Sequence, residues 1–170
     1  MTQVYVVDTG YMLELFGVPG WFDVSTKKEI ARRFKEAFEN SCRIYVPFPC
    51  ICELGNLIAQ VSDGEVRRNL ALKLLKSVKS SLSEGVPWII TPSEGVWDIE
   101  PICKAWANQH VARTLSLTDT VVVEEAKRLR RKYSGLGYKV HIWTKDAPVK
   151  ALEPDKEEGA FLGYNTKKHS

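Results

Sequence analysis

The sequence predicts an α/β fold, a three-layer α/β/α sandwich with a mainly parallel central sheet. Three observations carry that expectation. Short β-branched runs alternate with longer amphipathic segments, Gly and Pro punctuate the junctions, and acidic residues stand at the edges of several segments. Strands separated by helices pair in parallel through crossovers rather than as hairpins.

Val4-Tyr5-Val6-Val7 is β-branched at three of four positions and reads as a buried strand ending at Asp8. A short helix over 11–16 follows, broken by Gly17, Pro19 and Gly20. Thr26-x-x-Glu29 has capping-box spacing, and Ile30, Phe34 and Phe38 give the next helix one apolar face. A second strand is expected over 43–46, with Pro47 and Pro49 bracketing the entry to a helix that carries Glu53, Leu54, Leu57 and Ile58. Ser62-Asp63-Gly64 signals a turn, after which Val66, Leu70, Leu74, Val78 and Leu82 mark a long amphipathic helix. Its other face offers Arg68, Lys73, Lys76 and Lys79, either solvated or part of a phosphate-binding surface.

Residues 88–90 suggest a short strand, and Asp98 a cap for a helix over 99–110 with Pro101 in its first turn. Ser116 or Thr118 can cap the next helix, which runs through Val122, Ala126 and Leu129 to Tyr133 and closes at Ser134-Gly135. A strand over 139–143 completes the pattern. One domain over 1–152 is expected, with 153–170 a charged C-terminal extension that includes an edge strand over 160–164 and a loose end.

The 170 residues are 44% hydrophobic, enough to build a core without disulfides or structural metal. No run has the length of a membrane span, and the start lacks the regions of a signal peptide, so a soluble, cytoplasmic protein is expected. Cys42, Cys50, Cys52 and Cys103 are too irregularly spaced for a disulfide framework and should be reduced thiols. Net charge is +3, but without Asp8, Glu53, Asp119 and Asp146 the rest carries 24 basic against 17 acidic residues. An acidic pocket in a basic surface suits a polyanion held over bound cations.

Those four acids are the candidate site. Asp8 and Asp146 fall just past two strand ends, where parallel sheets bind ligands. Glu53 and Asp119 fall in first turns of helices, where the dipole orients negative charge. Singly, Asp119 could be a helix cap, Asp146 a turn former and Glu53 a dipole-complementing residue. Four carboxylates in one crevice repel unless protonated or neutralised by a divalent cation, and oxygen-only donors favour Mg²⁺ or Mn²⁺.

In order, type and context these acids resemble the PIN-domain family of metal-dependent ribonucleases, which includes toxins of the VapC type. The resemblance rests on Asp8-Thr9 after the first strand, Glu53 early in a middle helix, Ser116-Leu117-Thr118-Asp119 opening a later helix, and Thr144-Lys145-Asp146 after the next strand. Gly10, where a polar residue often stands, and the length of the stretch from Asp119 to Asp146 depart from the pattern without removing a ligand. The resemblance implies a PIN-like fold and an endoribonuclease in which Mg²⁺ or Mn²⁺ is held by Asp8, Asp119 and Asp146, with Glu53 direct or through water. Thr9, Asn56, Thr118 and Thr144 would support the carboxylates, and Lys145 would meet substrate phosphate. A role as the toxin of a toxin–antitoxin pair, with an antitoxin or other regulatory protein as partner, belongs to the same implication, and the tail after Asp146, longer than a minimal domain needs, leaves open a partner-binding or homodimer role. The alternatives are a non-catalytic RNA-binding or assembly module and a Mg²⁺-dependent phosphohydrolase, although Thr9-Gly10 after Asp8 breaks the latter's Asp-x-Asp pattern.

Lys127, Arg128, Arg130, Arg131 and Lys132 form the densest basic cluster, able to guide RNA or simply to complement the end of their helix. Core packing is the expected use of Trp21, Phe22, Trp97 and Trp106, with base stacking the alternative. Cys50-x-Cys52 lacks a second ligand pair for zinc, and the chain has no Walker, nucleophile-elbow or dinucleotide motif.

Overall fold

A computed structural model describes residues 2–91 and 99–163. The Asp98 cap, Trp97, residue 164 and the tail beyond it lie outside the described residues. Four strands, β1 (Gln3–Val7), β2 (Arg43–Pro47), β3 (Ile89–Thr91) and β4 (Lys139–Trp143), form one parallel sheet in the order β3-β2-β1-β4. Helices α1 (Thr9–Phe16) and α2 (Val24–Glu39) join β1 to β2, and α3 (Phe48–Ala59) and α4 (Gly64–Glu84) join β2 to β3. The return to β4 runs through α5 (Ile99–Ala105), a π-helical turn at Trp106–His110, a 3₁₀ turn at Val111–Arg113, and α6 (Leu117–Lys132). Because β1, β2 and β3 step one way and β4 lies back across β1, right-handed crossovers put the returning helices on the opposite face from the earlier ones. That is the α/β/α layering expected. Among the described residues no helix is long and apolar enough to cross a membrane.

The sheet is fully apolar at its centre, with Val4, Val6, Val46, Val140 and Ile142 buried. On the face toward α1 and α2, Trp143 stacks on Tyr5 at a centroid distance of 4.0 Å, meets Tyr11 at 5.7 Å and takes the edge of Phe34 at 5.2 Å. Strand β4 is an edge strand, and the segment after it covers that edge with acids. Asp155 and Glu153 accept the backbone N–H groups of Val140 and Ile142 at 2.8 and 3.1 Å. Such side chains do what a further strand would do, which removes an edge open to other chains.

Several expectations change. Helix α2 starts earlier than the Thr26 capping box implied, because Asp23 caps it and accepts the Thr26 N–H at 2.9 Å. Phe38 is exposed, and Ala37 takes its place beside Ile30 and Phe34 in the core. Glu53 lies in the second turn of α3, since that helix begins at Phe48. In α4 the stripe is thin: Leu70 and Ser81 are buried, Leu74 and Val78 half-buried, and Val66 and Leu82 exposed. The helix expected over 99–110 gives way after Ala105 to the π turn. No strand forms over 160–163, where the chain instead crosses the Thr144–Asp146 loop and a Cβ at Gly163 would strike the Lys145 carbonyl. A short α7 (Ala147–Lys150) follows Asp146. Trp21 and Phe22 are not core residues, with Trp21 half exposed.

Candidate functional site

The register of the sheet builds the site. Val7 pairs with Trp143, and the Asp8 N–H continues the ladder to the Trp143 carbonyl at 3.0 Å, so Asp8 and Thr144 emerge side by side at the strand ends. The Thr144 hydroxyl then donates to Asp8 Oδ2 at 2.7 Å and accepts the Asp146 N–H at 3.0 Å. One threonine thereby sets the spacing between two of the four acids. On the other side, Asp8 caps α1 and accepts the Thr9 N–H at 2.6 Å. The Thr9 hydroxyl donates to Glu53 Oε2 at 2.6 Å, tying the acid from α3 to the same corner.

Asp119 arrives on α6 in a reciprocal capping box. Its N–H donates to Ser116 Oγ at 3.0 Å, and its Oδ2 accepts the Ser116 N–H at 2.7 Å. Its charge reaches both Asp8 and Asp146. Burial pushes the Asp8 carboxyl up to about 7 against the hydrogen bond from Thr144, and Asp119 and Glu53 add to the rise by repulsion. Burial and the charge of Asp119 also raise Asp146. Cys50 is buried at the same corner, its thiol raised well above the usual value by burial and then by Asp8 and Glu53. A thiol this buried and raised is poorly disposed to act as a nucleophile.

Around the carboxyl ends of β1 and β4, Asp8 is thus linked to Asp146 through Thr144 and to Glu53 through Thr9, and Asp119 acts on Asp8 and Asp146 by its charge. They do not close into a ligand shell: among the described residues no group of three or more His, Cys, Asp or Glu side chains is positioned to hold a metal ion as it stands. The chemistry of the donors fits a hard divalent cation all the same. All are carboxylates, the charge of Asp119 helps to raise both Asp8 and Asp146, and Asp146 Oδ1 is buried without a hydrogen-bond partner among the described residues.

Of the supporting residues, Thr9 and Thr144 bond to the acids, whereas Asn56 is exposed and neither it nor Thr118 hydrogen-bonds a carboxylate among the described residues. Lys145 is paired with Glu14, a carboxylate with no solvent exposure that also accepts the Asp23 N–H at 3.0 Å. Glu14 was invisible in the sequence. Its only signal is a charge amid Tyr11, Met12, Leu13 and Phe16, on a helix that buries nearly every side. The basic cluster on α6 is largely neutralised: Lys127 pairs with Glu124 at 2.8 Å, Arg128 with Glu125 at 2.7 Å and Arg130 with Asp155 at 2.8 Å, while Arg131 is exposed. No family model matches the chain, and no curated protein matches it.

Proposed function

We propose that this chain is a PIN-type, metal-dependent endoribonuclease that hydrolyses RNA phosphodiester bonds, with Asp8, Glu53, Asp119 and Asp146 holding Mg²⁺ or Mn²⁺. The observation that carries the reading is the raising of Asp8 and Asp146 at the ends of β1 and β4, to which the charge of Asp119, and for Asp8 also that of Glu53, contributes, with no lysine or arginine among the described residues ion-paired to any of the four acids. Acids bonded only to hydroxyls and N–H groups also cap helices, as Asp23 does, but Asp23 is exposed, whereas Asp8 is buried with its charge uncompensated. When bound, the cation would supply Lewis-acid stabilisation of phosphate charge and lower the pKa of an attacking water.

The chain's own residues supply geometry and proton control. Thr144 holds Asp8 Oδ2 and the Asp146 backbone in fixed relation, and Thr9 does the same for Asp8 and Glu53. Glu53, anchored through Oε2, keeps its other oxygen available to accept a proton from water. The buried pair of Lys145 and Glu14 fixes the loop between Thr144 and Asp146, which gives Lys145 a positioning role in addition to the phosphate contact expected of it. A role as a toxin, with a regulatory protein as partner, is part of the same proposal.

A cleavage assay on mixed structured and unstructured RNA, in EDTA and after adding back Mg²⁺ or Mn²⁺, tests it. Cleavage should require the metal and vanish in Asp8→Asn and Asp119→Asn with the fold retained. Undiminished cleavage in either variant overturns the site, and RNA binding without cleavage favours the non-catalytic module.

A further inference from the structure

The loop over 17–23 between α1 and α2 ends against Glu14, which holds the Asp23 N–H through one oxygen and the Lys145 ammonium through the other. Since Lys145 stands between Thr144 and Asp146 in sequence, Glu14 tethers this loop to the loop that carries those two residues. It presents Trp21 at 50% and Phe22 at 37% exposure. Two cations come to the same place from different helices. Lys27 of α2 reaches back over Phe22, 5.1 Å from the ring centroid, and lies against Gly17. Lys73 of α4 sits 4.7 Å from the centroid of the Phe16 ring. Gly17, with φ +67, closes α1 in the left-handed conformation and has no side chain to keep the Lys27 ammonium away.

Both ammonium groups thus converge on the Phe16–Gly17 end of α1, and neither is ion-paired with a carboxylate among the described residues. Burial holds the Lys73 ammonium below its ordinary value, and the charge of Lys27 acts in the same direction. Arg32, Lys127, Arg128, Arg130 and Lys150 meet acids, and Arg43 and Lys132 also lie over rings, but theirs is Tyr133, which is buried, whereas Lys27 lies over the exposed Phe22. Like charges held together on aromatic rings without a counter-ion form a socket for an anion. Exposed rings beside such a socket add a surface for a flat, apolar face.

We propose that Lys27, Lys73, Trp21 and Phe22 form a subsite for single-stranded RNA, in which the lysines hold a backbone phosphate and the exposed rings stack adjoining bases. The identity of the polyanion rests on the ribonuclease reading; the socket itself rests on the four side chains. Duplex RNA does not fit the role, because its bases already stack on one another and offer no free face.

The test is a fluorescence-anisotropy titration of a short end-labelled oligouridylate against the whole chain in EDTA, which prevents cleavage. Lys27→Ala with Lys73→Ala should weaken binding roughly tenfold or more and lower the salt slope by about 0.7 for each phosphate no longer neutralised. Trp21→Ala should weaken it roughly 5- to 100-fold. Lys27→Arg with Lys73→Arg should restore most of the affinity, and a duplex of the same length should respond little to Trp21→Ala. Thermal melts check that each variant is folded. Wild-type affinity in the folded double alanine variant overturns the proposal. So does RNA binding indifferent to Trp21→Ala together with displacement by oligoglutamate through the lysines, which would assign the socket to an acidic peptide. Asp8→Asn should bind the oligonucleotide in EDTA at least as tightly as the wild type. If the lysine and tryptophan effects appear while no RNA is cleaved in metal, the subsite stands and the nuclease reading falls.

Discussion

Two acidic clusters flank β4, and they are opposites. At its carboxyl end, Asp8 feels the charges of Asp119 and Glu53 and Asp146 that of Asp119, and both are raised. Along its edge, Glu153 and Glu157 share Lys150 at 2.6 and 2.8 Å, and Asp155 meets Arg130. Burial alone would raise the Glu157 carboxyl, but hydrogen bonds from Lys150 and from the Trp143 indole hold it below the usual range. The edge cluster is a stabilising device that replaces a missing strand. The end cluster costs stability until something positive enters it. A cluster of acids is informative about function only once its counter-charges are counted.

The contrast is sharpest at Asp8. Asp8→Asn should reduce metal-dependent RNA cleavage on the order of 10³-fold, yet raise the melting temperature at pH 8 by roughly 3–8 °C. The sign follows from the raised carboxyl: between about pH 4 and 7 the folded chain retains a proton that the unfolded chain releases. Stability is therefore fullest below the unfolded value near 4 and declines as pH rises through about 7, by at most about 4 kcal/mol. Urea unfolding at several pH values in EDTA should show this decline in the wild type and its loss in Asp8→Asn. A variant less stable at pH 8 than the wild type would erase the distinction between the clusters.

The edge cluster should fail the other way. Lys150 Nζ donates to the Ile142 carbonyl at 2.9 Å and to both glutamates, so Lys150→Met strands two largely buried carboxylates. A loss of about 3 kcal/mol in urea is expected, with metal affinity little changed. Glu157 adds an acid limb, since a lowered carboxyl contributes stability above its unfolded value and loses it as pH falls.

Smaller effects separate orientation from charge. Thr144→Val keeps every acid but removes the hydroxyl between Asp8 and Asp146, and should cost roughly 10- to 100-fold in Mn²⁺ affinity by isothermal titration. Arg128→Gln removes an exposed ion pair with Glu125 and should change stability by less than about 0.5 kcal/mol. A larger change would mean that the α6 cations belong to the folded core rather than to its solvated face.

Local signals carried much of the fold. The strand over 139–143 and the Ser116 cap were legible because β-branched runs and Ser-x-x-Asp spacing act within a few residues. Errors fell where a distant contact decided. Thr26 looked like a cap until Asp23, which follows a loop tethered to Glu14, took that role. Trp21 and Phe22 looked like core until the α1–α2 loop turned them outward.

By itself the sequence determined the alternation of strands and helices and the placing of Asp8, Asp119 and Asp146 at the ends of their segments. Hydrophobic periodicity and capping act locally, so they can be read along the chain. Only the tertiary structure decided which acids face each other and which face bases. The strand order seats β4 against β1 and brings Asp8 beside Thr144 across 136 residues, while Glu14 reaches Lys145 and the charge of Lys27 acts on Lys73. Those encounters depend on the order of strands and the crossing of helices, and electrostatic effects fall with distance in space rather than with separation along the chain.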